Sequence, residues 1–158
     1  MWKTLLSALL ALSLLSACSK SDDAANANGA GGAGGSGTAT PGSQEDLVQN
    51  VGDRVFYALD SSTLSSDARA TLDKQAAWLA KYPQVQVQVA GNADERGTTE
   101  YNLALGQRRA SAARDYLVAR GVNSGRLSVI SYGKDRPTAL GSDEQSWAQN
   151  RNAITSVR

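Results

Sequence analysis

Histidine is absent from this chain of 158 residues, and cysteine occurs once, as Cys18. Histidine is the commonest general base and the commonest metal ligand, so its absence removes the usual acid–base and metal chemistry. A single thiol can form no internal disulfide and cannot build a metal site alone. We therefore expect neither a metal nor a cofactor, and we expect a protein that is not an enzyme.

An excess of one charge is also lacking, since 16 Lys and Arg residues face 15 Asp and Glu residues. Removal of Lys3 with the targeting segment described next leaves 15 residues of each sign. Domains that bind nucleic acid normally carry a basic patch, because they neutralise phosphates. The balanced charge therefore argues against a nucleic-acid partner.

The N-terminus contains no apolar run of the roughly 20 residues that span a bilayer. Lys3 provides a positive start, and residues 5–17 form an uncharged stretch of Leu, Ala and Ser that is typical of a signal peptide. The stretch ends in Leu-Ser-Ala-Cys, which resembles the lipobox of bacterial lipoproteins. We therefore expect residues 1–17 to be cleaved and Cys18 to be acylated.

The lipobox resemblance implies three acyl chains on Cys18. Each buried CH₂ group contributes about 0.8 kcal/mol to membrane binding, so such an anchor is close to permanent. In many relatives of this kind an Asp after the Cys retains the protein at the inner membrane, whereas Ser19 stands here. The resemblance thus implies the outer membrane, with the folded part in the periplasm.

Large apolar side chains are scarce in residues 18–50, which are rich in Gly, Ala, Ser and Asn. Such a composition cannot bury enough surface to fold, and we expect a flexible linker there. Gly29, Gly31 and Gly34 match the dinucleotide-binding pattern G-x-G-x-x-G, but no predicted strand precedes them, and the match is ascribed to low complexity. Residues 51–158 have the size of one domain.

Two hydrophobic periodicities alternate along that domain. Alternating or β-branched residues predict strands at 52–59, 85–89, 127–132 and 153–157. Apolar residues at helical spacing, together with capping and stop residues, predict helices at 66–81, 99–120 and 142–149. The order β-α-β-α-β-α-β predicts an α/β sandwich in which helices pack on a mixed four-stranded sheet. The strand order remains open.

On a helical wheel, Arg109 falls on the apolar face of the long predicted helix, beside Leu105. An arginine directed at an apolar face needs an anion, because an unpaired buried charge is very costly. Two partners stay open. One is an internal carboxylate, from Asp60, Asp94 or Glu95, and the other is the carboxylate of a ligand.

One cluster of motifs is far more specific than its separate parts. Residues 91–98 read GNADERGT, residues 101–102 are Tyr-Asn, and residues 105–110 read LGQRRA. Together they resemble the OmpA-like peptidoglycan-binding family, and residues 131–134 and 150–151 extend the resemblance toward the C-terminus. Many relatives have Phe, His and Arg where Leu59, Asn92 and Asn152 stand here.

The resemblance implies a specific ligand. In this family an Asp and an Arg hold the meso-diaminopimelate residue of the peptidoglycan stem peptide, and Asp94 and Arg109 match both positions and their spacing. An Asp can pair the ammonium group, while an Arg takes the carboxylate with a bidentate fork. Further pocket positions are expected at Asp60, Asn92, Asn102 and Leu105.

Lipid-anchored relatives tether the outer membrane to the cell wall together with the Tol proteins during cell division. The resemblance therefore implies peptidoglycan, a TolB-like periplasmic β-propeller and other Tol components as partners. A second hypothesis is a wall-anchoring lipoprotein without Tol partners. A third is a muramidase, since glycoside hydrolysis needs only two carboxylates, which Asp60, Asp94 and Glu95 could supply.

Overall fold

The structure, a computed structural model, describes residues 39–158. The predicted signal peptide, Cys18 and residues 19–38 of the predicted linker lie outside the described residues. None of the helices within the described range combines the length and apolar character that crossing a membrane requires.

Residues 39–158 contain four α-helices and four strands. In chain order they are α1 (Gln44–Asp46), β1 (Arg54–Phe56), α2 (Ser66–Lys81), β2 (Val87–Asn92), α3 (Thr99–Ala119), β3 (Leu127–Gly133), α4 (Glu144–Asn150) and β4 (Asn152–Val157). A π-helical turn (Leu47–Val51) continues α1, and a 3₁₀ turn (Ser124–Arg126) precedes β3. From β1 onward the predicted element order is confirmed.

The sheet is mixed and has the strand order β1-β4-β2-β3. β2 runs parallel to β3, while β4 runs antiparallel to β1 and β2. Because β2 and β3 are parallel, their C-terminal ends meet at one edge of the sheet. The loop that follows β2 therefore starts beside Gly133, whose carbonyl accepts a hydrogen bond from the amide of Ala93 at 2.8 Å.

The helix boundaries follow from capping side chains. The hydroxyl of Ser65 accepts a hydrogen bond from the amide of Ala68 and starts α2, and Thr98 does the same for Tyr101 at the start of α3. Gly121, just beyond α3, has a φ of +93°, the left-handed conformation that glycine adopts readily. The predicted helix at 66–81 is confirmed to the residue.

The core lies between the sheet and the helices α2 and α3. Alternate residues of β2 point into it, and Val87 and Val89 are fully buried. Leu72 and Leu79 of α2 and Leu117 of α3 cover these valines. The opposite face of the sheet is covered by neither helix.

The backbones of β2 and α3 touch at two glycines. A Cβ atom added to Gly91 would collide with the carbonyl oxygen of Gly106, and one added to Gly106 would lie 2.6 Å from the carbonyl oxygen of Gly91. Only glycine permits this approach, which brings the N-terminal half of α3 directly over the end of β2.

Four predicted boundaries need correction, and one is the strand expected at 85–89, which runs from Val87 to Asn92. The linker expected up to residue 50 ends earlier, because Leu47 is buried and Asp46 accepts hydrogen bonds from Asn50 and Trp78. β1 is shorter than residues 52–59, because it spans only Arg54–Phe56 and a turn follows at residues 59–60. α4 is capped by the carboxylate of Asp143, and not by the predicted Ser142.

We expect Gly106→Ala to destabilise the protein, although alanine favours an exposed helix over glycine by about 1 kcal/mol. The added methyl group must displace the backbone of β2, and overpacking of this kind costs about 1–3 kcal/mol. Chemical denaturation measures the free energy of unfolding. Gln107→Ala, at the exposed neighbouring position, is the control, and a Gly106→Ala protein as stable as this control would contradict the close approach.

Candidate functional site

A cavity of about 220 Å³ opens at the C-terminal end of β2. The loop after β1, the loop after β2 and the first turns of α3 enclose it. Five of the six residues singled out from the sequence as pocket positions line it, namely Asp60, Asp94, Asn102, Leu105 and Arg109. The loop after β2 thus folds back beside α3, as a meeting of Asp94 and Arg109 requires.

Arg109 is completely buried at the base of this cavity. Its Nε donates to the carbonyl oxygen of Ser61 at 2.8 Å, Nη1 to that of Asn92 at 2.8 Å, and Nη2 to that of Ala58 at 3.1 Å. Arginine has five N–H donors, so two of them make no hydrogen bond to a described residue.

No carboxylate of the described residues forms an ion pair with Arg109, since every salt bridge found there involves other arginines. The internal partner considered from the sequence is therefore not found at Asp60, Asp94 or Glu95. Burial lowers the pKa of Arg109 to about 10, so the group stays charged at neutral pH. The site holds a buried positive charge whose hydrogen bonds to described residues all end on backbone carbonyls, while the charges of Asp94 and Asp60 act on it without an ion pair.

Tyr57 supports Arg109 from the core side. Its hydroxyl donates to the backbone carbonyl of Arg109 at 2.8 Å, and its ring centre lies 5.3 Å from the guanidinium carbon. Burial raises the pKa of Tyr57, so the hydroxyl remains a donor. The sequence did not point to Tyr57, because its partner lies 52 positions away along the chain.

Asp94 is buried and already paired within the chain. Its carboxylate accepts hydrogen bonds from the amide, Nε and Nη2 of Arg96, the last at 2.7 Å, and from Nη1 of Arg151 at 3.4 Å. Burial by itself raises the pKa of Asp94, but the hydrogen bonds from Arg96 and the charge of Arg96 outweigh it and lower the pKa. Asp94 is therefore an ionised residue that orders its loop.

Contacts with α4 hold the same loop from outside. The guanidinium of Arg96 stacks 4.1 Å from the ring centre of Trp147, and its Nη1 lies 3.7 Å from a carboxylate oxygen of Glu144. The indole N–H of Trp147 donates to Glu95 at 2.9 Å. Glu95 is thereby engaged with α4 and does not line the cavity.

Asp60 stands at the exposed rim of the cavity. Its backbone φ is +53°, a left-handed conformation that aspartate adopts more readily than most residues. The hydroxyl of Tyr101 donates to its carboxylate. Among the residues the structure describes, no basic side chain forms an ion pair with Asp60, so of the two carboxylates that line the cavity it is the unpaired one.

The other expected positions divide into two groups. Asn102 is buried and donates to the carbonyl of Arg96 at 2.9 Å, while Leu105 provides an apolar wall. Asn92 does not line this cavity, because its side chain points to the opposite face of the sheet and donates to Asn152 at 2.8 Å. Only the backbone carbonyl of Asn92 reaches Arg109.

The geometry therefore combines a buried cation at the base, a carboxylate at the rim and an apolar wall between them. A small zwitterionic group with an aliphatic stem matches this arrangement. Its carboxylate would accept from Arg109, and its ammonium would lie near Asp60.

Comparisons with known proteins point to one family. Residues 56–151 match the model of the OmpA family. A peptidoglycan-associated lipoprotein of Rhizobium meliloti (strain 1021) is 60% identical over 117 residues, which are 74% of this chain and 66% of that relative. The protein of the same description from Brucella melitensis biotype 1 is 57% identical, over 74% of this chain and 70% of that relative.

A solved structure agrees with these matches. The crystal structure of the peptidoglycan-associated lipoprotein from Burkholderia pseudomallei superimposes with a TM-score of 0.65 at 44% identity. The superposition covers 67% of this chain and 90% of that chain.

We expect Asp94→Ala and Asp60→Asn to differ in stability. Loss of Asp94 leaves Arg151 without one partner in a buried setting, which costs on the order of 2–3 kcal/mol. Asparagine tolerates the left-handed conformation of Asp60, so Asp60→Asn should change stability by less than about 0.5 kcal/mol. Thermal and chemical denaturation measure both. Equal losses would contradict the structural role of Asp94.

Proposed function

The chain belongs to the OmpA family, and from this premise we propose that it is an outer-membrane lipoprotein that binds peptidoglycan without a covalent bond. In this proposal the domain grips the diaminopimelate of the stem peptide and anchors the outer membrane to the wall. The lipid on Cys18 provides the membrane end of the tether.

The observation that carries the proposal is the buried guanidinium of Arg109 without a carboxylate partner among the described residues. A buried charge is stabilised best by an opposite charge that also satisfies its hydrogen bonds. The far end of diaminopimelate carries one carboxylate and one ammonium group on an aliphatic stem. The carboxylate suits the two remaining donors of Arg109, and the stem suits Leu105.

The ammonium end is assigned to the acidic side of the cavity. Asp60 is the carboxylate there without an ion pair to a described residue, whereas Asp94 already accepts from Arg96 and Arg151. We therefore propose that Asp60 makes the direct contact and that Asp94 adds negative charge and fixes the loop. Asn102 completes the wall by holding the carbonyl of Arg96.

The path of the chain suits a tether. Gln44 accepts a hydrogen bond from the amide of Val157, which pairs with Val87 at the start of β2. The cavity lies at the other end of this six-residue strand, roughly 17 Å away. The segment that leads back to Cys18 thus joins the domain opposite the cavity, and its extended length of at most about 70 Å allows the site to face the wall.

We further propose that the protein works within the Tol–Pal system, with a TolB-like β-propeller and other Tol components as partners, in maintaining the envelope during division. Support comes from the identity of 57–60% to peptidoglycan-associated lipoproteins over 117 residues. An anchoring lipoprotein without Tol partners remains the second candidate, since the cavity geometry suits both equally.

A muramidase is disfavoured by the state of the carboxylates. Glycoside hydrolysis needs one carboxyl group with a raised pKa as a proton donor. Burial raises the pKa of Asp94, but hydrogen bonds from Arg96 outweigh it, and a hydrogen bond from Trp147 lowers the pKa of Glu95. Asp60, the third candidate, has no free second carboxylate beside it among the described residues, because Asp94 is paired with two arginines and Glu95 does not line the cavity. We therefore propose a binding module and not an enzyme.

We expect the chain from residue 18 onward, carrying Cys18→Ser, to sediment with purified sacculi of the diaminopimelate type and not of the lysine type. Arg109→Lys keeps the positive charge but cannot donate two parallel hydrogen bonds to a carboxylate, and Asp60→Asn removes the negative charge at the rim of the cavity. Each should weaken binding about 10-fold to 100-fold, the effect of one charge-assisted hydrogen bond. Sedimentation at increasing sacculus concentration gives the affinities.

Matched controls are available on the surface. Arg114 lies on α3 outside the cavity, so Arg114→Lys is the control for Arg109→Lys. Asp67 is exposed on α2, so Asp67→Asn is the control for Asp60→Asn. Both should bind like the parent protein, and circular dichroism checks that every variant is folded. If folded Arg109→Lys and Asp60→Asn proteins sediment like the controls, or if both wall types retain the protein equally, the assignment of the cavity fails.

For the full chain in cells, we expect the wild-type protein to fractionate with the outer membrane and to co-purify with a TolB-like propeller. Cys18→Ser removes the acylation site and should release the protein from the membrane fraction. Fractionation and affinity purification measure these outcomes. A membrane-bound Cys18→Ser protein would refute the lipid anchor, and purification without Tol components would favour the second candidate.

A further inference from the structure

A second cavity, of about 260 Å³, lies on the face of the sheet that α2 and α3 leave uncovered. Gln88, Ala90 and Asn92 of β2 point to this face, because alternate residues of a strand point to opposite sides. Ile154 and Ser156 of β4 lie directly across from Ala90 and Gln88. The proposed function gives this cavity no role.

The side-chain oxygen of Asn92 is buried at this cavity and accepts no hydrogen bond from any described residue. The orientation of the amide is set by its neighbour. Asn152 donates to Gln149 and Thr138, so its own oxygen faces Asn92 and takes the Asn92 amide hydrogen at 2.8 Å. Buried acceptors in native proteins are nearly always satisfied, and an unsatisfied one costs about 1–3 kcal/mol.

The remaining lining is polar without being acidic. Gln88 and Ser156 offer uncharged donors and acceptors, and Ala90 and Ile154 form an apolar floor. Tyr132 contributes an aromatic ring, with the guanidinium of Arg136 stacked 3.8 Å from its centre. Among the described residues, Arg136 is the one charged residue that lines the cavity, and its guanidinium lies over the Tyr132 ring. Amide and hydroxyl groups beside an apolar floor and an aromatic ring suit a neutral, hydroxyl-rich ligand that also carries an N–H donor.

We propose that this cavity binds an N-acetylated sugar of the peptidoglycan glycan strand. The acetamido N–H donates to the side-chain oxygen of Asn92, and sugar hydroxyls bond to Gln88 and Ser156. The apolar face of the ring lies on Ile154. The volume is below the roughly 300–1,000 Å³ of pockets that enclose drug-sized ligands, and it fits a single sugar residue.

Asn92 connects this cavity to the first one. Its backbone carbonyl accepts from Nη1 of Arg109 at 2.8 Å, while its side chain faces the sheet cavity. In peptidoglycan the stem peptide is bonded to the glycan strand, so one wall fragment carries both chemical groups. The inference rests on the proposed function and deepens it, because it names the part of the wall that a second site recognises.

The test is an NMR titration of the ¹⁵N-labelled chain from residue 18 onward, carrying Cys18→Ser, with the tetrasaccharide of β-1,4-linked N-acetylglucosamine. This probe has no stem peptide. We expect the backbone amides of Gln88 and Ser156 and the side-chain amide of Asn92 to shift. Gln88→Ala and Asn92→Ala should each weaken sugar binding roughly threefold to tenfold, the effect of one neutral hydrogen bond.

A parallel titration with a diaminopimelate-containing tripeptide separates this inference from the proposed function. Gln88→Ala should bind the tripeptide like the parent protein, and Gln86→Ala, exposed just before β2, should leave both titrations unchanged. If the sugar shifts none of the three named amides, or if folded Gln88→Ala binds it as well as Gln86→Ala does, the sheet cavity is not a glycan site. If the sugar binds as expected but the tripeptide does not bind, the assignment of the first cavity to diaminopimelate fails instead.

Discussion

The buried guanidinium of Arg109 is the constraint on which the site depends. Its three hydrogen bonds end on backbone carbonyls from two separate segments, the loop after β1 and the end of β2. A hydrogen bond to a charged group is stronger than one between two neutral groups. Each of the three carbonyl groups is therefore held where it can accept from the guanidinium. The arginine therefore fixes the shape of both segments as well as offering a charge to a ligand.

This arrangement needs α3 close to the sheet, which explains the paired glycines. Gly91 and Gly106 let the helix backbone lie against β2, and Arg109 follows Gly106 by one helical turn. A larger residue at either glycine would lift the helix and lengthen the bonds to Ala58 and Ser61. The close packing of α3 on β2 and the position of the Arg109 charge in the cavity therefore depend on the same two glycines.

Local signals explain what the sequence predicted well. Caps and stop residues act within a turn, so α2 was bounded correctly, and the motif at residues 91–110 placed Asp94 and Arg109 at one site. Long-range contacts explain the rest. Asp94 meets Arg151 across 57 positions, and the helical turn at 44–51 depends on Trp78. Asn92 was expected in the first cavity from the resemblance, although the alternation of β2 places its side chain on the face of Gln88 and Ala90.

The order of charges around the cavity decides what the site can attract. Arg151 lies close enough to Arg109 to disfavour its charged form, but Asp94 stands beside Arg151 and offsets that repulsion. Glu144 in turn pairs with Arg151 and Arg96, so the charges behind the loop compensate each other. What remains at the base is the positive charge of Arg109. Pairing Asp94 within the chain therefore does not weaken the site, because it leaves Arg109 free for a ligand carboxylate.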